Sequence, residues 1–246
     1  MIELKSFAGH THQGPCLQIN EDAHDVDLNN NLFMILDGFG GSGIGDQVVK
    51  KVIETIKYFY SKVIVDPDST MPFFYGQKYT LEGNFLLNAF HYAHKMVCQY
   101  NLKKEMNARG GASAIVGVLA DNLLTFATTG NCRLYLMRQG HLNRVFSEDS
   151  LSWAAGDITD LKFKTFPLSG LGLFNELYLE TKEIKVNDGD LFCLFTDGIY
   201  AGVQEEELKH TLENTSANLK EKIESLTNLS NERGNLDNQS ALLLQF

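Results

Sequence analysis

The sequence predicts an α+β fold of four layers, α-β-β-α, in which helices cover two packed and mainly antiparallel β-sheets. Apolar segments of strand length recur along the chain, at residues 32–36, 114–120, 123–127, 134–137, 191–195 and 241–244. Two-residue turn signals separate several of them, which is typical of antiparallel hairpins: Asp121-Asn122, Gln139-Gly140 and Asp188-Gly189. The segments are apolar on both faces, unlike a sheet with one face in water, so we expect two sheets packed face to face.

Four helices are expected to cover the outer faces of these sheets. The first follows Ser42 as its N-cap and carries an apolar stripe at i, i+4 spacing. The second runs from about residue 81 to 104; His91 and His94 lie off its apolar stripe and are expected on the surface. Shorter helical patterns occupy residues 205–212 and 217–229. Residues 65–79 and most of 148–173 are predicted to be loops, the second long enough to be functional.

Composition and charge narrow the function classes. The 246 residues are 43% hydrophobic and 21% charged, which is globular composition and excludes a disordered or collagen-like chain. The length predicts one domain over residues 1–246. Asp plus Glu number 31 against 21 for Lys plus Arg, and a net charge of −10 disfavours nucleic acid and anionic membranes as partners. With no bilayer-length apolar run and four cysteines outside any CxxC pair, we expect a cytoplasmic protein with free thiols.

Acidic residues stand at the ends of several predicted strands. Asp37 and Asp197 each follow an apolar segment and precede a glycine, and Asp237 comes shortly before the last segment. Glu21 and Asp22 lie near the N-terminal strand. Buried carboxylates repel one another unless a cation lies between them, so a cluster of them indicates a metal site. Ligands that are all oxygen favour Mg²⁺ or Mn²⁺ over zinc.

Six short motifs follow one another along essentially the whole chain. They are Thr11-His12-Gln13-Gly14 with Asn20-Glu21-Asp22-Ala23, Leu36-Asp37-Gly38-Phe39-Gly40-Gly41, Gly111-Ala112-Ser113-Ala114, Thr129-Gly130-Asn131-Cys132-Arg133, Phe195-Thr196-Asp197-Gly198-Ile199 and Asp237-Asn238. Their order resembles that of the metal-dependent serine/threonine protein phosphatases, the PPM or type 2C group. The compact length is similar to that of bacterial members.

The resemblance implies an enzyme that hydrolyses phosphoserine and phosphothreonine in proteins, in signalling that opposes a serine/threonine kinase. The nucleophile would be a hydroxide that bridges two Mn²⁺ or Mg²⁺ ions. By the same resemblance, Asp37 would bridge the two metals, with Glu21 and the carbonyl of Gly38 on one of them. Asp197 and Asp237 would hold the other. Asp22 would be a catalytic residue that orients the metal-bound water.

Three positions depart from the pattern of this family. Leu17 stands where the family has an arginine that binds the substrate phosphate, and loss of that bidentate clamp should weaken substrate binding. Phe39 stands where a histidine often serves as a candidate general acid. Asn131 stands where an aspartate would help to hold a third metal, so a third ion is left open. None of the three removes a ligand of the two-metal site.

Two alternative functions follow from the same residues. The first is dinucleotide binding, because Gly38, Gly40 and Gly43 satisfy GxGxxG after a strand and Asp66 lies downstream. The hairpins that follow argue against the parallel sheet that this function requires. The second is a pseudophosphatase, a binding module with the same fold and little turnover, which the three departures suggest. Retention of four clustered carboxylates argues against it.

Overall fold

Ten strands and five helices make up the part of the chain that the computed structural model describes, residues 2–63, 71–147, 149–151 and 165–246. The strands are β1 (Ser6–His12), β2 (Asp22–Asp27), β3 (Leu32–Gly40), β4 (Gly110–Ala120), β5 (Leu123–Thr129), β6 (Arg133–Arg138), β7 (His141–Arg144), β8 (Glu180–Lys185), β9 (Leu191–Phe195) and β10 (Gln239–Gln245). The helices are α1 (Gly45–Tyr58), α2 (Leu81–Leu102), α3 (Asp197–Tyr200), α4 (Glu205–Glu213) and α5 (Leu219–Glu232). Two 3₁₀ turns (Gly41–Gly43 and Met106–Ala108) and one π turn (Phe59–Val63) accompany them.

The strands form two five-stranded sheets with the orders β2-β3-β4-β5-β8 and β1-β10-β9-β6-β7. Every paired neighbour among the described strands is antiparallel. The predicted fold class is therefore confirmed. The dinucleotide-binding alternative is wrong, since it needs parallel strands, whereas β3 pairs antiparallel with both of its neighbours. Asp66, on which that alternative also depended, lies outside the described residues.

Alternation along the strands explains why they are apolar on both faces. On β3, Phe33 and Ile35 belong to a buried cluster that joins the two sheets, together with side chains of β9 and β10. The intervening Leu32, Met34 and Leu36 belong to a second cluster, formed with α1 and α2. A third cluster joins the outer face of the other sheet to α3, α4 and α5. The layers are thus helix, sheet, sheet and helix. Side chains that alternate along each strand fill the interfaces on the two faces of its sheet.

Two details of the sequence prediction are wrong. Helix α1 begins at Gly45, with Ile44 at the N-cap, because the 3₁₀ turn takes up the residues around Ser42. Asp188-Gly189 is a turn, but it joins β8 of one sheet to β9 of the other and makes no hairpin. The hairpins at Asp121-Asn122 and Gln139-Gly140 are confirmed.

Parts of the two predicted loops lie outside the described residues, namely 65–70, 148 and 152–164. Residues 71–79 do connect to α2 without a helix or strand. The second predicted surface histidine, His94, is instead buried on α2, where its Nδ1 accepts a hydrogen bond from Gly172 N at 3.1 Å. None of the described helices combines the length and apolar character needed to cross a membrane.

Candidate metal centre

Antiparallel pairing brings acidic residues of both sheets to one end of the sandwich. In one sheet Asp22, the first residue of β2, lies directly opposite Asp37 of β3, and side chains paired in this way have Cβ atoms about 5 Å apart. In the other sheet Asp197 follows the end of β9 and Asp237 precedes the start of β10, its antiparallel neighbour. The side chain of Asn131 hydrogen-bonds both Asp197, at 3.3 Å, and Asp37, so the two pairs lie close together.

Glu21 joins this cluster through the first turn of α1. Its Oε1 accepts a hydrogen bond from Gly45 N at 2.7 Å, and the partial positive charge of a helix N-terminus favours a carboxylate there. Its backbone oxygen accepts from Gly38 N at 3.0 Å. A β-carbon at Gly38 would lie 2.5 Å from that oxygen and 2.7 Å from Gly45 O. Glycine at position 38 therefore allows β3, α1 and Glu21 to approach one another closely.

Asp22 is held from the opposite sheet. Thr196 Oγ1, next to Asp197, donates to Asp22 Oδ2 at 2.7 Å. The same hydroxyl accepts from Ser240 N at 2.9 Å. The hydrogen bond ties the start of β2 to β9 and β10, so Asp22 is fixed by the packing of the two sheets.

Asn238 is an organising residue to which the sequence analysis gave no role. Its Oδ1 accepts from Glu21 N at 2.9 Å, and its Nδ2 donates to Gln13 O at 2.8 Å and to Ile19 O at 3.0 Å. The side chain is buried, with 3% of the residue exposed. One amide thus fixes the segment before β2 against the start of β10. Its place directly after Asp237 was the signal available in the sequence.

Burial raises the pKa of every carboxyl group in the cluster. Loss of hydration is the largest cause at each of them, and repulsion within the cluster adds to it at four of the five. The pKa values of Asp22 and Asp37 rise well above the usual range. That of Asp197 rises to about 7, with Asp237 as the largest contributor after burial. Holding these groups ionised together is costly, and a cation placed among them would remove that cost.

Asn131 lies between carboxylates of the two sheets. Its Nδ2 donates to Thr165 O at 2.8 Å and to Asp197 Oδ2 at 3.3 Å, and it also hydrogen-bonds Asp37. Its Oδ1 is buried and has no hydrogen-bond partner within the described part of the chain. The side chain thus contributes a donor to the carboxylates and leaves one buried acceptor oxygen unused.

The other two departures from the family pattern have distinct surroundings. Phe39 packs its ring against Gly111 and Gly170, where a β-carbon would lie 2.5 and 2.9 Å from it. Phe39 thus makes apolar contacts with the backbone of neighbouring segments. Leu17 is 40% exposed and lines a cavity of about 240 Å³ beside Asp197 and Asp237.

These residues fit a pair of hard cations in their chemistry. The donors are carboxylate and carbonyl oxygens, which Mg²⁺ and Mn²⁺ prefer, and Asn131 Oδ1 is an unused acceptor beside them. No group of three or more Asp, Glu, His or Cys side chains in the described ranges is already arranged to hold a metal ion. The carboxylates accept instead from Gly45, Thr196 and Asn131. The individual ligand assignments to Glu21, Asp37, Gly38, Asp197 and Asp237 therefore stay predictions.

Comparison with known proteins agrees with the fold. No family model matches the chain. The serine/threonine phosphatase stp of Listeria monocytogenes serotype 4b is 24% identical over 248 residues, which cover 96% of this chain and 93% of the relative.

Two solved structures cover the chain from end to end or nearly so. The PPM Ser-Thr phosphatase MsPP of Mycobacterium smegmatis, in complex with cacodylate, superposes with a TM-score of 0.78 at 19% identity and covers 100% of both chains. The catalytic domain of the serine/threonine protein phosphatase PstP, in complex with two manganese ions, gives a TM-score of 0.75 at 20% identity, covering 98% of this chain and 97% of that one. Over essentially its full length, the chain is thus similar to serine/threonine phosphatases and has the fold of the PPM Ser-Thr phosphatase MsPP.

Proposed function

We propose that the chain is a metal-dependent protein phosphatase that hydrolyses phosphoserine and phosphothreonine, with Mn²⁺ or Mg²⁺ as its cofactor. The observation that carries this proposal is the convergence of Asp22, Asp37, Asp197 and Asp237, whose pKa values are all raised. A fold gains nothing from four clustered carboxylates that repel one another, whereas a cation site requires them. The relatives named as serine/threonine phosphatases support the same activity.

Each acidic residue has a role in this proposal. Asp37 lies between the two sheets and is assigned as the ligand shared by both cations, with Glu21 and the carbonyl of Gly38 on one side. Asp197 and Asp237 are assigned to the other side. Asp22, held by Thr196, is assigned to orient the attacking water through its carboxylate. Bound there, two divalent cations would supply a nucleophilic water at neutral pH and neutralise the charge on the phosphoryl oxygens.

The side chains that line the cavity beside Asp197 and Asp237 would also limit which substrate groups can enter it. The cavity beside Asp197 and Asp237 is open to solvent and lined in part by apolar side chains, Leu17 and Leu236 among them. A phosphorylated side chain that projects from a protein surface could enter it. We therefore propose phosphoproteins as substrates, with signalling that opposes a serine/threonine kinase, in the cytoplasm.

The direct test uses hydrolysis of p-nitrophenyl phosphate by the full chain, with Mn²⁺ added and then removed by a chelator. Asp37→Asn and Asp197→Asn should each abolish turnover, because an amide cannot supply the negative charge that balances the cations. Asp188→Asn is the matched control, since Asp188 is exposed and pairs with Lys5; it should keep wild-type turnover. Circular dichroism should show all three variants folded.

Three outcomes would contradict the proposal. Activity that resists chelation would remove the metal requirement. Full activity in Asp37→Asn would remove the central ligand. An absence of turnover in the wild type at high enzyme concentration, with Mn²⁺ bound, would favour the binding-module alternative.

A further inference from the structure

The structure assigns a second cationic partner for the substrate phosphoryl group: we propose that Arg233 binds it at the rim of the cavity beside Asp197 and Asp237. The proposal rests on the proposed function, because it concerns the same cavity. Arg233 is the one cationic side chain among the described residues that line this cavity, and Asp197 and Asp237 are the anionic ones. Leu17, an apolar residue, lines the same cavity.

Charge balance favours a cation at this position. The chain has a net charge of −10, and the carboxylates of the cavity would repel a phosphoryl dianion. Two divalent cations among five carboxylates leave little positive charge toward the entering substrate. A guanidinium on the wall offers planar, paired N–H donors that match phosphate oxygens.

Arg233 has donors available for this contact. Its Nη2 donates to Glu207 Oε1, and no hydrogen bond from Nε or Nη1 is recorded to any described residue. The side chain is 45% exposed, so solvent reaches it. Glu207 also accepts from Gln204 N at 3.1 Å through Oε2, which caps α4. The carboxylate that holds Arg233 is thus itself fixed to the start of a helix.

The backbone around Arg233 is fixed relative to Asp237. Arg233 caps the C-terminus of α5, and Gly234 follows in the left-handed region with φ of +84°. Asn235 then donates from Nδ2 to Asp237 O at 2.8 Å and accepts from Asp237 N at 3.1 Å. This turn holds the backbone of the arginine, four residues before a predicted metal ligand, close to the start of β10.

Arg133 is a second arginine near the site, and it has a different position. It lies over the ring of Tyr200, 3.7 Å from the centroid. It lowers the pKa of Asp197 slightly against the larger effect of burial. It is not among the residues that line the cavity. Arg133 therefore acts on the protein side of Asp197, whereas Arg233 faces the entering substrate.

The test compares Arg233→Ala, Arg233→Lys and Glu207→Gln with Lys220→Ala, a control at the exposed start of the same helix. The substrate is p-nitrophenyl phosphate, which has no peptide, so a change in KM reports on the phosphoryl group alone. A charge-assisted hydrogen bond predicts that Arg233→Ala raises KM by about tenfold, with kcat changed by less than about threefold. Arg233→Lys should recover part of the loss. Glu207→Gln, which loosens the hold on Arg233, should raise KM less than Arg233→Ala does, and Lys220→Ala should leave KM unchanged.

Binding of inorganic phosphate to the Mn²⁺-loaded chain, measured by calorimetry, provides a second readout that needs no turnover. Arg233→Ala should weaken this binding by about the same factor. Unchanged KM and unchanged phosphate affinity in Arg233→Ala, with wild-type turnover, would overturn the assignment and leave the proposed function intact. A rise of KM in Lys220→Ala equal to that in Arg233→Ala would also overturn it, because the effect would then not be specific to Arg233. A wild type that binds phosphate through Arg233 without turnover would support the assignment and contradict the proposed function.

Discussion

Replacement of Asn238 by alanine should destabilise the metal-free protein by about 3 kcal/mol. The substitution removes three hydrogen bonds, to Glu21 N, Gln13 O and Ile19 O. Each is worth about 1 kcal/mol net in a buried setting, and partners left unsatisfied can cost more. For a chain of this size, about 3 kcal/mol corresponds to a fall in Tm of roughly 6–12 °C.

The assay is urea unfolding in the presence of a chelator, followed by circular dichroism. Metal binding stabilises the folded state by mass action, so the chelator separates the hydrogen bonds of Asn238 from any loss of affinity. Asn143→Ala is the matched control, because Asn143 is exposed on β7; it should change stability by less than about 0.5 kcal/mol. A second titration, with Mn²⁺ added, should show weaker binding by Asn238→Ala, since Glu21 loses the contact that fixes its backbone.

The result that would refute this reasoning is specific. If Asn238→Ala unfolds within about 0.5 kcal/mol of the wild type, the three hydrogen bonds do not hold the segment before β2. If the variant is destabilised as expected but binds Mn²⁺ with unchanged affinity, the position of Glu21 is set by Gly45 and Gly38 alone.

Three other substitutions test further parts of the structure. Gly38→Ala should lower the free energy of unfolding by several kcal/mol, because its β-carbon would lie 2.5 Å from Glu21 O. Gly189→Ala is the control: its β-carbon would meet nothing within 4 Å, so it should cost only about 1 kcal/mol from its positive φ. Equal losses in denaturant midpoint would contradict the steric argument. Arg138→Ala should lower the free energy of unfolding by about 3 kcal/mol, because Asp190, whose side chain is 1% exposed, loses the Nε and Nη2 donors at 2.7 and 2.6 Å. Adding Asp190→Asn to this variant should recover part of the loss. No recovery would show that packing dominates. Burial lowers the pKa of His94 below its usual value, so the unfolded chain binds more protons as pH falls through about 6.5. The stability associated with neutral His94 is therefore present above that pH and lost below it. His94→Gln should reduce the fall in urea midpoint between pH 7.5 and 5.5, and an identical fall would contradict the prediction.

Much of the fold could be predicted because local sequence reports on it directly. The apolar segments 191–195 and 241–244 correspond to β9 and β10, and Asp121-Asn122 does form a hairpin. Strands with mixed exposure, such as β2 and β8, carry no such pattern and were not predicted. Their pairing depends on neighbours that are distant in the sequence.

The sequence analysis was wrong at positions whose surroundings are formed by distant parts of the chain. His94 lies off the apolar stripe of α2, yet Gly172 and the segment around it cover it. Asp188-Gly189 has the composition of a hairpin turn, but the strands on either side belong to different sheets. In both cases the deciding contact involves a residue or strand that local pattern cannot identify.

The amino-acid sequence by itself determined the type of chemistry, because the acidic residues at positions 21, 22, 37, 197 and 237 and the glycine after Asp37 are readable as oxygen donors at strand ends. Tertiary structure alone decided that Asn238 holds Glu21 and that Thr196 holds Asp22. It also decided that Arg233 and Leu17 share one cavity although more than 200 residues separate them. The physical reason is that side-chain chemistry is local, whereas distances between segments are set by the packing of two sheets through a common apolar core.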